Sequence, residues 1–203
     1  MKKKLLEIYG IGEVLADKLD KLITNIEDLH KPEIYELLPT ATKLYLKYKP
    51  AVHIPRAFIA NTVKIIEKAG GIVAGSWRRG VSYCNDIDVL IPKREVYDIL
   101  AKKLKMLKEP VAGGEEIIRN FIKIKNTWMF IDFFIYKDLA PYLLYATGSK
   151  QFNKSMRGIA KNKGYLLNQH GLFKGEKKII CKTEEEIFAH LNMDYLEPYA
   201  RNL

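Results

Sequence analysis

Little in this 203-residue chain could tie it together covalently or anchor it in a membrane. Its two cysteines, Cys84 and Cys181, are too few for a disulfide framework or a zinc cluster, and its four histidines stand far apart. No apolar run approaches the ~20 residues of a membrane span. Met1-Lys2-Lys3-Lys4 lacks the apolar stretch of a signal peptide. Internal repeats and low-complexity tracts are also missing. These absences exclude secreted, membrane and fibrous classes, and leave an intracellular globular protein of the cytoplasm, the nucleus or a viral replication site. A 48% hydrophobic content supplies a core, and the length fits one large domain or two to three small subdomains.

What the chain has in excess is positive charge: 34 Lys and Arg against 24 Asp and Glu, a net +10. By itself that describes any soluble basic protein. The stretch Gly75-Ser76-Trp77-Arg78-Arg79-Gly80, followed by Asp86-Ile87-Asp88-Val89-Leu90-Ile91, gives the charge a purpose. In an extended strand, side chains two apart share a face. Asp86 and Asp88 therefore aim at one place, while Ile87, Val89 and Ile91 face a core. Two carboxylates that close repel unless a cation sits between them, and a hard divalent ion such as Mg²⁺ is the natural occupant. Gly75 and Ser76 suit a triphosphate, because glycine lets backbone N–H groups approach and serine adds a donor. Together they read as a nucleotidyl-transfer site, and the basic balance then points to a nucleic-acid partner.

Residues 5–50 read as short helices with Leu5, Leu6, Ile8, Val14, Leu15 and Leu19 at helical spacing, interrupted by Tyr9-Gly10-Ile11-Gly12. Such a Gly-x-Gly is either a phosphate-binding helix hairpin or an ordinary tight turn. Pro50 and Pro55 mark a boundary. A helix is expected over 56–69, short strands over 72–74 and 86–91, and a helix over 94–107. Two strands follow, 121–125 and 128–136, joined by a turn at Asn126-Thr127. The order suggests a mixed sheet with helices on one face. The strand Met129-Phe130-Ile131-Asp132-Phe133-Phe134-Ile135 carries a third acid. Asp132 is costly to bury unless paired or metal-bound, or else it faces water from an edge strand. Beside Asp86 and Asp88 it would complete a site for two cations. Asn153 and Arg157, four apart in a helical run, share a face that is either solvated or functional.

These residues resemble the palm of the family X DNA polymerases. The likeness continues through Tyr145-Ala146-Thr147-Gly148-Ser149-Lys150-Gln151-Phe152-Asn153-Lys154-Ser155-Met156-Arg157, similar to that family's Tyr-Phe-Thr-Gly-Ser-x-x-Phe-Asn-x-x-Met-Arg segment. Lys163-Gly164-Tyr165-Leu166-Leu167-Asn168-Gln169-His170-Gly171-Leu172-Phe173 looks like its closing hairpin, Gly10-Ile11-Gly12 like its helix-hairpin-helix, and Ile54-Pro55-Arg56 like its palm entry. The resemblance implies an α/β (α+β) architecture: a helical DNA-binding subdomain over 1–54, a nucleotidyltransferase palm with a mixed β-sheet over 55–139, and a small α/β nucleotide-binding subdomain over 140–203.

It further implies that Asp86, Asp88 and Asp132 bind two Mg²⁺ ions, with Mn²⁺ as a substitute, and that Asp132 lies near the primer 3′-hydroxyl. Gly75, Ser76 and Arg79 would hold the triphosphate. Tyr145 and Gly148 would line the sugar and base pocket. Asn153 and Arg157 would reach the minor groove, whose acceptors are common to every base pair. Gly10, Ile11, Gly12, Lys123 and Lys125 would contact DNA. The expected activity is template-directed addition of dNMP from a dNTP to primed or gapped duplex DNA, in short-gap repair, by a monomer. The alternative is a template-independent terminal transferase.

The chain also departs from the family. Phe130 stands where an Arg neighbours the third carboxylate, and Lys123 or Lys125 on the adjacent strand is the expected replacement. Ala146 replaces an aromatic beside the sugar. Lys150 and His170 alter the nascent-pair region, and Cys84-Asn85 replaces a smaller pair beside the phosphates. With only Met1 to Lys4 ahead of the hairpin, no lyase-type domain and no lyase activity are expected.

Overall fold

The computed structural model describes residues 1–202. It resolves into two compact units, residues 1–50 and residues from Ala51 onward. The break falls at Pro50, four residues ahead of the expected one. The reason is local: the Ala51 N–H donates to the Trp128 carbonyl (2.8 Å), and β1 (Ile54–Pro55) pairs with β3 (Tyr83–Cys84), so 51–54 already belong to the second unit.

The first unit holds helices α1 (Lys2–Leu6), α2 (Glu13–Leu19), α3 (Pro32–Tyr35) and α4 (Thr40–Tyr48) and a 3-10 turn at Ile26–His30. Leu5, Ile11, Ala16, Leu19, Leu29 and Leu46 are among the side chains of its core. Asn25 caps the 3-10 turn by accepting from the Asp28 N–H (3.0 Å), and Asp28 accepts in return from the Asn25 N–H (3.1 Å). Gly10 has φ +85°, and a Cβ there would lie 2.5 Å from Thr42 Oγ1, so the turn between α1 and α2 needs glycine at that position.

The second unit is built on a five-stranded mixed sheet in the order β2 (Ile72–Val73), β4 (Asp86–Ile91), β7 (Thr127–Ile135), β6 (Ile117–Ile124) and β5 (Ala112–Gly113). Only the β4–β7 pair is parallel. One face carries Ile87, Val89, Ile91, Ile118, Ile122, Met129, Ile131 and Phe133, all buried in one cluster with residues of α5 (Arg56–Lys68) and α7 (Arg94–Lys103). Each such side chain contributes about 1.5–3 kcal/mol on burial. A one-residue slip of β4 would send these side chains to solvent and Asp86 and Asp88 into the core, so the apolar face fixes where the acids point.

The expectation of helices on one face alone is corrected. At the far end of the opposite face, Leu90 and Phe134 pack with Tyr142 of α8 (Leu139–Thr147), which leaves the acid-bearing end of that face open. The β6–β7 turn is Lys125-Asn126, with Ile124 paired to Thr127 and Lys125 at φ +54°, one residue earlier than expected. Strand β6 starts at Ile117, four residues before the expected start.

Helices α9 (Lys150–Asn162) and α10 (Glu184–His190), with the three-stranded antiparallel sheet β8 (Leu166–Asn168), β9 (Gly171–Lys174) and β10 (Lys177–Ile179), surround a separate cluster that includes Phe152, Met156, Leu172, Ile187 and Phe188. The Ser149 hydroxyl caps α9 by accepting from the Phe152 N–H (3.2 Å). Among the described residues, no helix is long and apolar enough to cross a membrane.

Candidate active site

The parallel register of β4 and β7 places Asp88 opposite Asp132 and Asp86 opposite Phe130, so all three acids lie on the open face. Asp86, Asp88 and Asp132 each offer a carboxylate oxygen, and these oxygens lie within 4.8 Å of one another. Burial, and then the neighbouring Asp132, raises the Asp86 carboxyl above its ordinary value. Burial, and then Asp86, pushes Asp88 further up. An all-oxygen donor set that resists charging by itself is one a hard divalent cation relieves.

Gly75 completes the fit. It has φ +55°, and a Cβ on it would fall 1.9 Å from Asp88 Oδ2. The backbone at Gly75 thus lies directly against a carboxylate, a closeness that a side chain forbids. Gly75 opens α6 (Gly75–Arg78), which is a single turn. The Ser76 hydroxyl is buried against the Cys84 thiol. The expected Ser76 donor is thus turned inside, away from solvent.

Beside the acids opens a cleft of about 500 Å³ lined by Arg79, Asp86, Asp88, Phe134, Tyr145, Ala146, Gly148, Lys150, Asn153 and Arg157. The structure therefore gathers residues that the sequence scatters over nearly eighty positions. Arg79 is held in place: Nε donates to Asn202 Oδ1 (2.8 Å) and Nη1 to the Thr147 carbonyl (2.5 Å). Asn153 Nδ2 donates to the Tyr145 carbonyl (2.7 Å), which ties α9 to the end of α8. Arg157 is exposed on the same face of α9. Tyr145 meets Phe134 edge-on at 6.2 Å. His170, in the β8–β9 turn, lies beside Tyr142, Gln169 and Glu116.

Residues 51–133 match the family described as DNA polymerase beta palm, and residues 142–202 that described as DNA polymerase beta thumb. The chain belongs to family X of the DNA polymerases. It is 28% identical over 243 aligned residues to DNA polymerase lambda of Arabidopsis thaliana, covering 97% of this chain and 45% of that protein. It is 25% identical over 256 residues to DNA nucleotidylexotransferase of Gallus gallus, covering 98% of this chain and 51% of that one. A shorter match, 40% over 75 residues, is to DNA polymerase IV of Saccharomyces cerevisiae. The chain thus spans about half the length of the first two relatives.

Against this family X pattern, three features of the site escaped sequence reasoning. The cation beside Asp132 is Arg119 of β6, not Lys123 or Lys125. Arg119 Nε donates to Asp132 Oδ1 (2.5 Å) and Nη2 donates to Oδ2. Lys123 stands opposite Trp128, four residues along from Asp132, and Lys125 lies over the Phe58 ring, 3.4 Å from its centroid. Second, Glu184 of α10 joins Arg78 (2.6 Å), the last residue of α6, to the buried Arg201 (2.7 Å). Third, Asn202 braces Arg79. In the first unit, the Ile11 side chain is buried and its N–H donates to the Ile8 carbonyl (3.1 Å), so Ile11 anchors the Gly10–Gly12 turn.

Proposed function

We propose that this chain is a template-directed DNA polymerase that adds a dNMP to a primer 3′-hydroxyl on primed or gapped duplex DNA, filling short gaps in repair. The observation that carries the reading is the convergence of Asp86, Asp88 and Asp132 at the mouth of a cleft walled by Arg79, Asn153 and Arg157. When bound, two divalent ions, Mg²⁺ or in its place Mn²⁺, would lower the pKa of the attacking hydroxyl and stabilise the leaving pyrophosphate. The protein's own part is positioning. Asp86, Asp88 and Asp132 hold the ions, with Asp132 toward the primer terminus. Arg79, braced by Asn202 and Thr147, directs its remaining N–H donors at the triphosphate, helped by the backbone at Gly75 and Ser76. Tyr145 and Gly148 form the wall against sugar and base.

Asn153 and Arg157 present donors to the minor-groove acceptors of the nascent pair, a check on pair shape that reads no sequence. Gly10 and Gly12 give backbone N–H groups access to a DNA phosphate, and Lys123 and Lys125 add positive charge for the backbone. Template-independent transfer is the second reading, favoured by the likeness to DNA nucleotidylexotransferase. Extension of a labelled primer in Mg²⁺, with and without a template strand, separates the two. Extension that needs the template supports a polymerase, and equal extension without it supports a terminal transferase.

A further inference from the structure

The register of β6 against β7 sets Arg119 directly opposite Asp132. Residues opposed in an antiparallel pair point to the same face with Cβ atoms about 5 Å apart. The guanidinium fork therefore lies across the carboxylate and engages both of its oxygens. It also stands over the Phe130 ring, 4.9 Å from its centroid. A contact needed only to join the two strands would be redundant, because β6 and β7 already share eight paired positions. What the fork does uniquely is bring a full positive charge to the third carboxylate of a cluster whose oxygens lie within 4.8 Å of one another.

We propose that Arg119 is a positioning residue for Asp132 that stands in for a divalent cation: it holds the carboxylate toward Asp86 and Asp88 in the resting protein and competes with the metal for it. The inference rests on the metal-centre reading above. It makes this chain's metal affinity the outcome of two opposed effects of one side chain. Orientation of Asp132 favours the reaction, while the charge of Arg119 opposes metal entry. A residue that only oriented Asp132 would behave differently, since its loss would weaken metal binding, whereas at Arg119 the charge dominates binding and the loss of orientation shows in kcat.

The test is Mn²⁺ binding to the full chain without DNA or nucleotide, followed by electron paramagnetic resonance, together with kcat and KM for dNTP incorporation. Arg119→Ala should bind Mn²⁺ roughly fivefold tighter, the effect of removing one unit charge at short range in a solvent-open cleft. Its kcat should fall about tenfold, with KM for dNTP little changed. Arg119→Lys keeps the charge without the fork, so its Mn²⁺ affinity should return to that of the parent while kcat stays low. Adding Asp132→Ala to Arg119→Ala should abolish the gain in affinity. Unchanged or weaker Mn²⁺ binding by Arg119→Ala, at an unchanged melting temperature, would overturn the proposal. If Arg119→Ala does not fold, Arg119→Lys decides: a kcat equal to the parent's overturns it. A parent chain that binds no Mn²⁺ at millimolar concentration would remove the metal centre itself, and this inference with it.

Discussion

At the scale of single residues the site is a contest between charge and burial. Asp86 and Asp88 both have carboxyls raised, first by burial and then by a neighbouring carboxylate, Asp132 for Asp86 and Asp86 for Asp88. A raised folded-state pKa means that the folded protein holds these protons more firmly than the unfolded chain. The stability this gives is complete below the ordinary carboxylate value of about 4 and is lost as pH rises through the raised values. A divalent cation offsets that loss. The gain in melting temperature on adding Mg²⁺ or Mn²⁺ should therefore be small at pH 5 and grow steadily toward pH 8, as differential scanning calorimetry would record. A gain independent of pH would place the ion elsewhere. Gly75 is the tightest point of the site. Gly75→Ala puts a methyl 1.9 Å from Asp88 Oδ2 and strains a residue at φ +55°. Either the carboxylate or the turn must move. A displacement of about 1 Å costs on the order of a hundredfold in rate, so kcat should fall by that factor in steady-state incorporation assays.

At the scale of elements, the joint between α6 and the C-terminal segment is a shared carboxylate. Burial would raise Glu184, but its hydrogen bonds to Arg78 and Arg201 outweigh that and hold it below its ordinary value. Arg201 is fully buried, among the rings of Phe152, Phe188 and Tyr195. Glu184→Ala would strand that charge, at a cost of about 3–5 kcal/mol. Urea unfolding should show this loss, with a smaller one for Glu184→Gln. Incorporation should also fall, because Arg78 adjoins Arg79.

The elements themselves were unevenly legible. Strand β4 is legible to the residue, because Asp86, Asp88 and the alternating apolar side chains follow the two-residue period of a half-buried strand. Strand β6 is not. Arg119 and Asn120 interrupt its apolar run, so the segment reads as beginning at Phe121, and the partner of Asp132 is hidden with the missing turn of the pattern. Asn120 is in fact buried, donating to Tyr97 Oη (3.0 Å) and to the Leu107 carbonyl (3.1 Å). Glu184 lies 106 residues from Arg78 and Asn202 lies 123 from Arg79, and no local pattern carries such a contact.

At the scale of the whole molecule, a net charge of +10 suits a polyanionic partner such as the DNA of the proposed reaction. Affinity for duplex DNA should fall steeply with salt, since each neutralised phosphate releases about 0.9 counterion. Fluorescence anisotropy across a salt series checks this, and a flat series would contradict a basic DNA-binding surface. Replacing Gly10 and Gly12 with bulkier residues should weaken DNA binding and leave KM for dNTP unchanged.

Three carboxylates and one cleft are proposed to carry out templated nucleotidyl transfer. The most direct measurement is single-turnover extension across a one-nucleotide gap in Mg²⁺, offering each of the four dNTPs separately. Rapid addition of the complementary nucleotide alone is the expected result. In Asp86→Ala, Asp88→Ala and Asp132→Ala the rate should drop about a thousandfold or more, with DNA affinity preserved, because a metal's charge stabilisation is worth several kcal/mol. Addition of all four nucleotides at similar rates, or full activity in any of the three variants, would contradict the proposal.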